Sequence, residues 1–505
     1  MVEKNDVTPI ESGLMEKLVS LAKRRGFFYP GSEIYGGLAN TYDYGPVGTE
    51  LLRNIKNLWW NYFVQQRSDM VGLDAGIISH HKIWEASGHV AGFADAMIDC
   101  KNCKARMRAD HLLENYIETL DEHTRADVMK THAEDKDIVK ALESGHVEGF
   151  SIDALEKVLK VFSTLPRHGL KCPNCGKSDW TAIRKFNQLF PVQLGIVQGE
   201  GGMAYLRGET AQGIFVNFRN VVDSNRVRLP FGIAQIGKGF RNEITPGNSI
   251  FRTIEFEMGE IEYFFDPEVT NWETVFEQWK STMWEFVTKQ LGVLETNLRW
   301  REHTDEERSF YSTRTEDLDY KFPFGFKELW GLAYRTNYDL TKHSEASKKD
   351  LVIVDPQTGT KIVPHVIEPA VGLTRLLLMV LVDAYTEEGT SAGSGEGKRT
   401  VLKLHPKIAP YKVAIFPLLA NKETLVGKAQ DIYNELKKHF MVTFDARGNI
   451  GKRYMAQDEI GTPWCVTVDF DSLDDDGVTI RDRDTTNQER VKIKELVDYF
   501  QKKLR

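Results

Sequence analysis

Four of the five cysteines in this 505-residue chain fall into two Cys-x-x-Cys pairs, Cys100/Cys103 and Cys172/Cys175, with Cys465 alone. Two thiolates from each pair, presented to one ion, complete the tetrahedral sulfur shell that structural Zn²⁺ prefers, and four sulfur ligands leave no open position for catalysis. The 68 residues between the pairs are too many for a compact finger and imply two knuckles joined across an insertion. Pro173 and Gly176 supply turn chemistry at the second knuckle. Reading the cysteines as small buried hydrophobes leaves the pairing of four out of five unexplained.

A second set of residues is built on arginine. Gly239-Phe-Arg241-Asn242-Glu243 is followed, after a turn, by Phe251-Arg252-Thr253-Ile254-Glu255-Phe256. An Arg on one strand and an Arg/Phe pair on the returning strand place two guanidinium groups along a polyphosphate and a ring on a base. A surface hairpin with solvated ion pairs suits the same residues equally well. Further on, Gly372-Leu373-Thr374-Arg375 puts an Arg in the first turn of an apolar helix, where alone it reads as an ion-pair partner. Two nucleotide fingerprints fail. Gly237-x-Gly239 has Asn242 where a dinucleotide loop needs its third glycine, and Gly397-Lys398 has Ala392 and Arg399 at the other key P-loop positions.

These residues need elements to hold them. Leu51, Leu52, Ile55, Leu58, Trp59, Tyr62 and Phe63 recur at helical spacing, as do Ile152, Leu155, Val158, Leu159 and Phe162 within a charged stretch between the cysteine pairs. The first reads as a long amphipathic helix, the second as part of an inserted helical module. Phe231–Ile236 and Ile254–Phe265 read as strands of a central, mainly antiparallel sheet. Gly389 to Lys398 is Gly/Ser/Glu-rich and reads as a flexible loop at a domain boundary. Beyond Leu404, strands at Val413–Phe416, Met441–Phe444 and Cys465–Val468 alternate with a helix carrying Leu425, Ala429, Ile432, Leu436 and Phe440 on one face, which favours a parallel or mixed α/β unit.

Composition bounds the rest. Hydrophobic residues at 41%, charged residues at 27% and a net charge of -8 describe an ordinary globular protein that does not coat nucleic acid through bulk charge. Residues 401–505 carry a net +2 and the preceding 400 a net -10, a sign that suits an RNA-facing domain without proving one. The longest apolar run, Leu376 to Val382, falls far short of the about 20 residues a membrane span needs. Met1 to Gly13 carries neither a secretory nor a transit signature, so the expected location is cytoplasmic, with no membrane partner.

Taken in order, the segments resemble the signature motifs of class II aminoacyl-tRNA synthetases, and within them the dimeric glycyl-tRNA synthetase family. The resemblance runs through Arg25-Gly-Phe27, Gly31-Ser-Glu-Ile-Tyr-Gly-Gly-Leu-Ala-Asn40, Tyr42-Asp-Tyr-Gly-Pro-Val-Gly48, Trp84-Glu-Ala-Ser-Gly-His-Val90, Arg108-Ala-Asp110, Arg207-Gly-Glu-Thr-Ala-Gln-Gly213, Phe240–Phe256, Glu328-Leu-Trp-Gly331, Glu368–Arg375 and His405-Pro-Lys-Ile-Ala-Pro410. It implies an α+β fold: an antiparallel-sheet catalytic domain over 1–98 and 181–400, an inserted zinc-knuckle and helical module over 99–180, and a C-terminal α/β anticodon-binding domain over 401–505.

The implied activity is a glycine–tRNA ligase. Glycine reacts with ATP to form glycyl-adenylate, and the glycyl group passes to the 3′ end of tRNA(Gly), with Mg²⁺ accompanying ATP, structural Zn²⁺ on the four cysteines, and a homodimer as the working form. By motif match, Arg241 touches the α-phosphate, Arg252 and Arg375 the outer phosphates, and Phe256 stacks on adenine. Asn242, Glu243, Phe251, Thr253, Ile254, Glu255, Glu328, Leu329, Gly372, Leu373 and Thr374 complete the ATP site, with Glu328 also a Mg²⁺ ligand.

Glycine offers no side chain to grip, so its pocket must exclude rather than embrace. The resemblance assigns the α-ammonium to Glu209 in Arg207-Gly-Glu-Thr210, and to Glu260 and Glu368 within the stretches Phe256, Glu257, Met258, Gly259, Glu260 and Glu368, Pro369, Ala370, Val371, Gly372. Arg108 is expected to offset the acid charge. Where many relatives carry serine, this chain has Ala370, a loss that should slightly relax exclusion of alanine. Arg481, Asp482, Arg483 and Asp484 are expected to read anticodon bases. Two other readings stay open here: a non-catalytic paralogue, which would be expected to lose the phosphate-binding arginines or the acids first, and a sister synthetase for serine, threonine, proline or histidine, which would need a larger pocket.

Overall fold

The computed structural model describes residues 13–92, 94–147, 150–165, 169–195, 202–243, 247–305, 307–309, 311–354, 358–389 and 398–504. At its centre seven strands pair in the order Leu298–Glu302, Arg314–Phe322, Gly325–Thr336, His365–Gly372, Glu255–Phe265, Phe231–Phe240 and Met70–Gly72. Every neighbouring pair is antiparallel except the last. Alternation of side chains sorts each strand between two faces. On Glu255–Phe265, Ile261, Tyr263 and Phe265 enter the main core, whereas Glu260 meets the start of the helix Ala211–Asn225 and Phe264 packs with that helix's Phe215 and Phe218.

The main-core face is covered by the helices Pro46–Trp60, Trp272–Glu285 and Leu373–Ala384. Proline at the first turn of Pro46–Trp60 starts it, and Leu51, Ile55, Trp59 and Phe63 are fully buried within this chain. Leu373–Ala384 is buried nearly all round, which accounts for the apolar run: it is a core helix, and among the described residues no helix is long and apolar enough to cross a membrane.

The inserted module roots in a three-stranded sheet, Arg106–Arg108, Ala94–Asp99 and Arg184–Asn187, which extends beyond both expected limits of 99 and 180. Four helices follow, and Asp121, Asp135 and Ser151 cap three of them through their side chains. They enclose a separate core around Leu113, Ile117, Ile138, Val158 and Phe162.

The stretch 390–397, read above as a flexible loop, lies outside the described residues. Its flanks, Tyr385–Gly389 and Lys398–Leu402, pair as an antiparallel hairpin, and Leu402, Leu404 and Ile408 still belong to the main core. The C-terminal unit is a five-stranded sheet in the order Val442–Phe444, Val413–Pro417, Trp464–Val468, Gly477–Asp482 and Gln488–Lys492. The first three strands are parallel and the rest antiparallel, the mixed sheet anticipated from the sequence.

Candidate functional site

Phe231–Phe240 and Glu255–Phe265 form one long hairpin, in register from Phe231 opposite Phe264 to Phe240 opposite Glu255. Gly237 and Gly239 therefore sit inside a strand, and both are needed for close approach. A Cβ on Gly239 would lie 2.9 Å from the Phe256 ring, and one on Gly237 would lie 2.1 Å from an Arg207 nitrogen. The chain leaves the sheet at Arg241, whose Nε donates to the Gly208 carbonyl at 3.1 Å and whose guanidinium lies 5.5 Å from the centre of the Phe256 ring.

Arg375, in the first turn of Leu373–Ala384, donates to the Glu328 carbonyl at 2.9 Å, pairs with its carboxylate at 3.1 Å and covers the Phe251 ring at 4.5 Å. A bulge makes this meeting possible. Leu318 pairs with Trp330 but Asp319 with Glu328, leaving Leu329 as the extra residue. Leu329 and Trp330 both enter the core, and Glu328 turns to the other face, where its side chain is 49% exposed. Arg252 faces Glu243 at 4.0 Å. Together Arg241, Glu243, Phe251, Arg252, Thr253, Phe256, Met258, Glu260, Glu328, Ala370, Val371, Gly372, Thr374 and Arg375 line one cavity of about 200 Å³. Every one of them was expected from the sequence.

Behind Glu260 lies a buried charged cluster. The Glu260 carboxylate accepts from the backbone N–H groups of Thr210 at 2.6 Å and Ala211 at 2.8 Å, and from the Thr210 hydroxyl, so it occupies the N-terminus of the helix Ala211–Asn225. Glu209 pairs with His89 at 3.2 Å and accepts from Gln212 at 3.2 Å. Ser87 meets the other His89 nitrogen at 2.8 Å. Glu368 accepts through both oxygens from Arg335 at 3.0 Å, and the rest of that guanidinium is bound by Asp339 at 2.8 and 2.9 Å.

Burial and mutual repulsion dominate the ionisation here. Burial pushes Glu260 up to about 6, helped by the Glu209 charge. Burial likewise lifts Glu368 to about 8, with Glu260 and Glu209 adding to it against the pull of Arg335. Glu262, next along the same strand face and with neither oxygen hydrogen-bonded, is raised well above the ordinary range by burial and by Glu368. Glu209 is the exception: burial opposes its charge, but His89, Arg335 and Arg241 outweigh it and hold the pKa well below the ordinary carboxylate range.

The four cysteines of the inserted module meet as two matching turns. Cys100 N–H bonds the Ala105 carbonyl at 2.9 Å, as Cys172 N–H bonds that of Lys177 at 2.8 Å, and Lys104 and Gly176 take positive φ at the equivalent corners. Their sulfurs all lie within 4.8 Å of one another, with Cys100 3.6 Å from Cys175 and Cys103 3.7 Å from Cys172.

Residues 95–188 match the family model described as Glycyl-tRNA synthetase insertion domain 1, and residues 412–503 match Anticodon binding domain. The chain is 49% identical to the glycine–tRNA ligase of Clostridium acetobutylicum over 492 residues, covering 97% of this chain and 99% of that one. Its identity to the enzymes so named from Clostridium perfringens and Caldanaerobacter subterraneus is 48% over 492 residues, 97% of this chain and 98% of each. The chain belongs to the glycine–tRNA ligase family.

Against this family's motifs, several expected site residues are placed elsewhere in the present glycine–tRNA ligase fold. Arg108 is engaged by Asp110 and lies 3.5 Å from Asp95, whereas Arg335 bonds Glu368 and the His89 ring meets Glu209. Glu257 and Gly259 fall on the opposite strand face from Glu260: Glu257 pairs with Lys56 at 3.0 Å, and Gly259 backs onto Trp59. Leu329 and Leu373 are core residues. Glu255 is taken up by Lys238 at the hairpin edge.

Arg481 and Arg483 are not presented to bases. Arg481 is buried in a two-pronged pair with Asp458 at 3.0 and 3.2 Å, and Arg483 is buried against the Gly461 carbonyl and Asp484. Asp482 caps the turn through the N–H groups of Asp484 and Thr485. Asp458, 1% exposed, also holds Arg399 of the preceding hairpin at 2.8 Å, so this cluster joins the C-terminal unit to the rest of the chain.

Proposed function

We propose that this chain activates glycine with ATP and transfers the glycyl group to the 3′ end of tRNA(Gly). The observation that carries the reading is adjacency: a cleft lined by Arg241, Arg252, Arg375 and Phe256 opens directly onto Glu260 of the buried acid cluster. One end suits a polyphosphate and a base, the other a small ammonium. In the first step the glycine carboxylate attacks the α-phosphate and pyrophosphate leaves in line, so the chain supplies no nucleophile and works by positioning and charge stabilisation. In this reading Arg241 meets the α-phosphate and the carboxylate, Arg252 and Arg375 the outer phosphates, and Phe256 the adenine. Glu328, half-exposed at the rim, would hold a Mg²⁺ ion arriving with ATP, and the ion would neutralise phosphate charge there. Glu209, Glu260 and Glu368 receive the α-ammonium. ATP–pyrophosphate exchange across the amino acids tests this: exchange with glycine alone is expected, and exchange led by any other amino acid refutes it.

The cysteine cluster fits Zn²⁺, because a Zn–S bond of about 2.3 Å implies sulfur–sulfur edges of about 3.8 Å, close to the distances found. Its part is to staple the two turns of the inserted module. Elemental analysis of reduced protein should find about one zinc per chain, and a zinc-free protein with an intact module sinks the assignment.

A symmetric homodimer is part of the reading. The apolar stripe of Pro46–Trp60 is consumed inside the chain, so it leaves little for a partner. The turn carrying Ile34 and Tyr35, 89% and 87% exposed, offers the apolar surface instead. Light scattering at micromolar concentration should give twice the chain mass, and a fully active monomer contradicts it.

A further inference from the structure

We propose that Tyr311 is a positioning residue for glycine: its ring closes a clamp on the Arg335 guanidinium and thereby fixes the Glu368 carboxylate. The proposal rests on the reading of Glu209, Glu260 and Glu368 as the ammonium site. Arg335 is only 1% exposed. Its nitrogen edge is bound by Asp339 and Glu368, and its flat surface is covered by two rings, Tyr311 with the centroid 3.9 Å away and Phe215 at 5.3 Å. A desolvated guanidinium held this way has lost both the freedom to rotate its fork and the water that could replace a partner.

The two rings differ in origin. Phe215 belongs to the helix Ala211–Asn225 and is fully buried in the core. Tyr311 lies on the connection between the strands Leu298–Glu302 and Arg314–Phe322, outside any regular element, yet its ring reaches the centre of the cluster. There it also lies nearly parallel to the His89 ring, at 6.4 Å and 20°. One side chain thus abuts both groups that hold ammonium-site acids, the Arg335 guanidinium on Glu368 and the His89 ring on Glu209. Burial holds the phenol above its ordinary range, so it acts as a neutral ring and adds no charge to the pocket.

If the ring is the clamp, its face is what counts, and the hydroxyl, which bonds Ser309, contributes little to holding Arg335. The test is steady-state ATP–pyrophosphate exchange by the full chain and by Tyr311→Leu, Tyr311→Met and Tyr311→Phe, with KM measured separately for glycine and ATP. Leu and Met, which keep bulk without a π face, should raise the glycine KM about tenfold and leave the ATP KM within about twofold, while Phe stays within about twofold for both. Met fills the volume if Leu does not fold. The clamp is overturned by an unmoved glycine KM in a folded variant, by equal rises for glycine and ATP, or by a Phe variant as impaired as Leu. A parent chain inactive with glycine overturns the ammonium-site reading and this proposal with it, and an active parent with unaffected variants overturns the clamp alone.

Discussion

The two ends of the cleft use the same kinds of side chain in opposite ways. At the end proposed for phosphate, Arg252 and Arg375 pair with Glu243 and Glu328 at a partly open surface, where an incoming polyanion could compete for them. At the end proposed for glycine, Arg335 has every prong committed and is buried, as are its partners Glu368 and Asp339. The first arrangement is built to exchange partners, the second to hold shape. That contrast follows from the substrates: a polyphosphate brings charge enough to displace an ion pair, whereas glycine brings one ammonium group and must find its site already formed.

The sharpest way to break this contrast is to remove one arginine from each end. Arg335→Leu leaves Glu368 buried without its guanidinium and Asp339 with only the Gln212 amide at 2.8 Å, and should cost about 3–5 kcal/mol of stability, seen as a lower midpoint in chemical denaturation. A midpoint equal to that of the parent would show that the glycine end is not a rigid frame. Arg241→Ala should leave stability nearly unchanged but slow glycine activation by about 10²–10³, with Arg241→Lys restoring only part, since a fork becomes a point charge. Near-normal pyrophosphate exchange in the alanine variant would remove Arg241 from the phosphate site.

Acidity separates the ends more finely. Glu260 and Glu368 ionise only above about 6 and about 8, so ammonium binding at their carboxylates must release protons. The glycine KM should therefore fall as pH rises from 6 to 8, by up to about tenfold per unit, while the ATP KM stays level. For stability the sign is reversed: acids with raised folded pKa values favour the folded state at low pH, and that contribution is lost as pH rises from the ordinary value of 4.5 to about 6 for Glu260 and to about 8 for Glu368. A glycine KM flat in pH would mean these acids do not meet the ammonium. The smallest effect belongs to Ala370, opposite Glu260 on the neighbouring strand. Ala370→Ser should improve the glycine-over-alanine ratio of kcat/KM by at most about tenfold, the scale of one small atom. An unchanged ratio would assign exclusion to the acids and the backbone.

That Arg241 to Phe256 and Ala370 to Arg375 share one cavity was legible in the sequence because they are close neighbours along the chain: one hairpin carries the first group, and one strand-to-helix turn the second. The glycine end was half legible. Its three acids stood in recognisable motifs, but His89, Tyr311 and the Arg335/Asp339 pair come from three separated segments, and only the assembled sheet and helices bring them together. Strand parity, readable in principle, would have set Glu257 and Gly259 apart from Glu260. The bulge at Leu329 would not have been readable, since one unpaired residue reverses the parity of its neighbour. Arg481 and Arg483 misled because an arginine looks the same in sequence whether it meets a base or a buried Asp458.

Glu260 carries a consequence beyond charge. The carboxylate that would receive the substrate also closes the buried N-terminal end of the helix Ala211–Asn225, through Thr210 and Ala211. Whatever draws that carboxylate toward a ligand draws it away from two amide protons, so occupancy of the pocket and fraying of the helix are coupled, and by reciprocity each biases the other. The amides of Thr210 and Ala211 are therefore a built-in gauge of the pocket. Their hydrogen-exchange rates should change when glycine binds, before any other part of the molecule has moved.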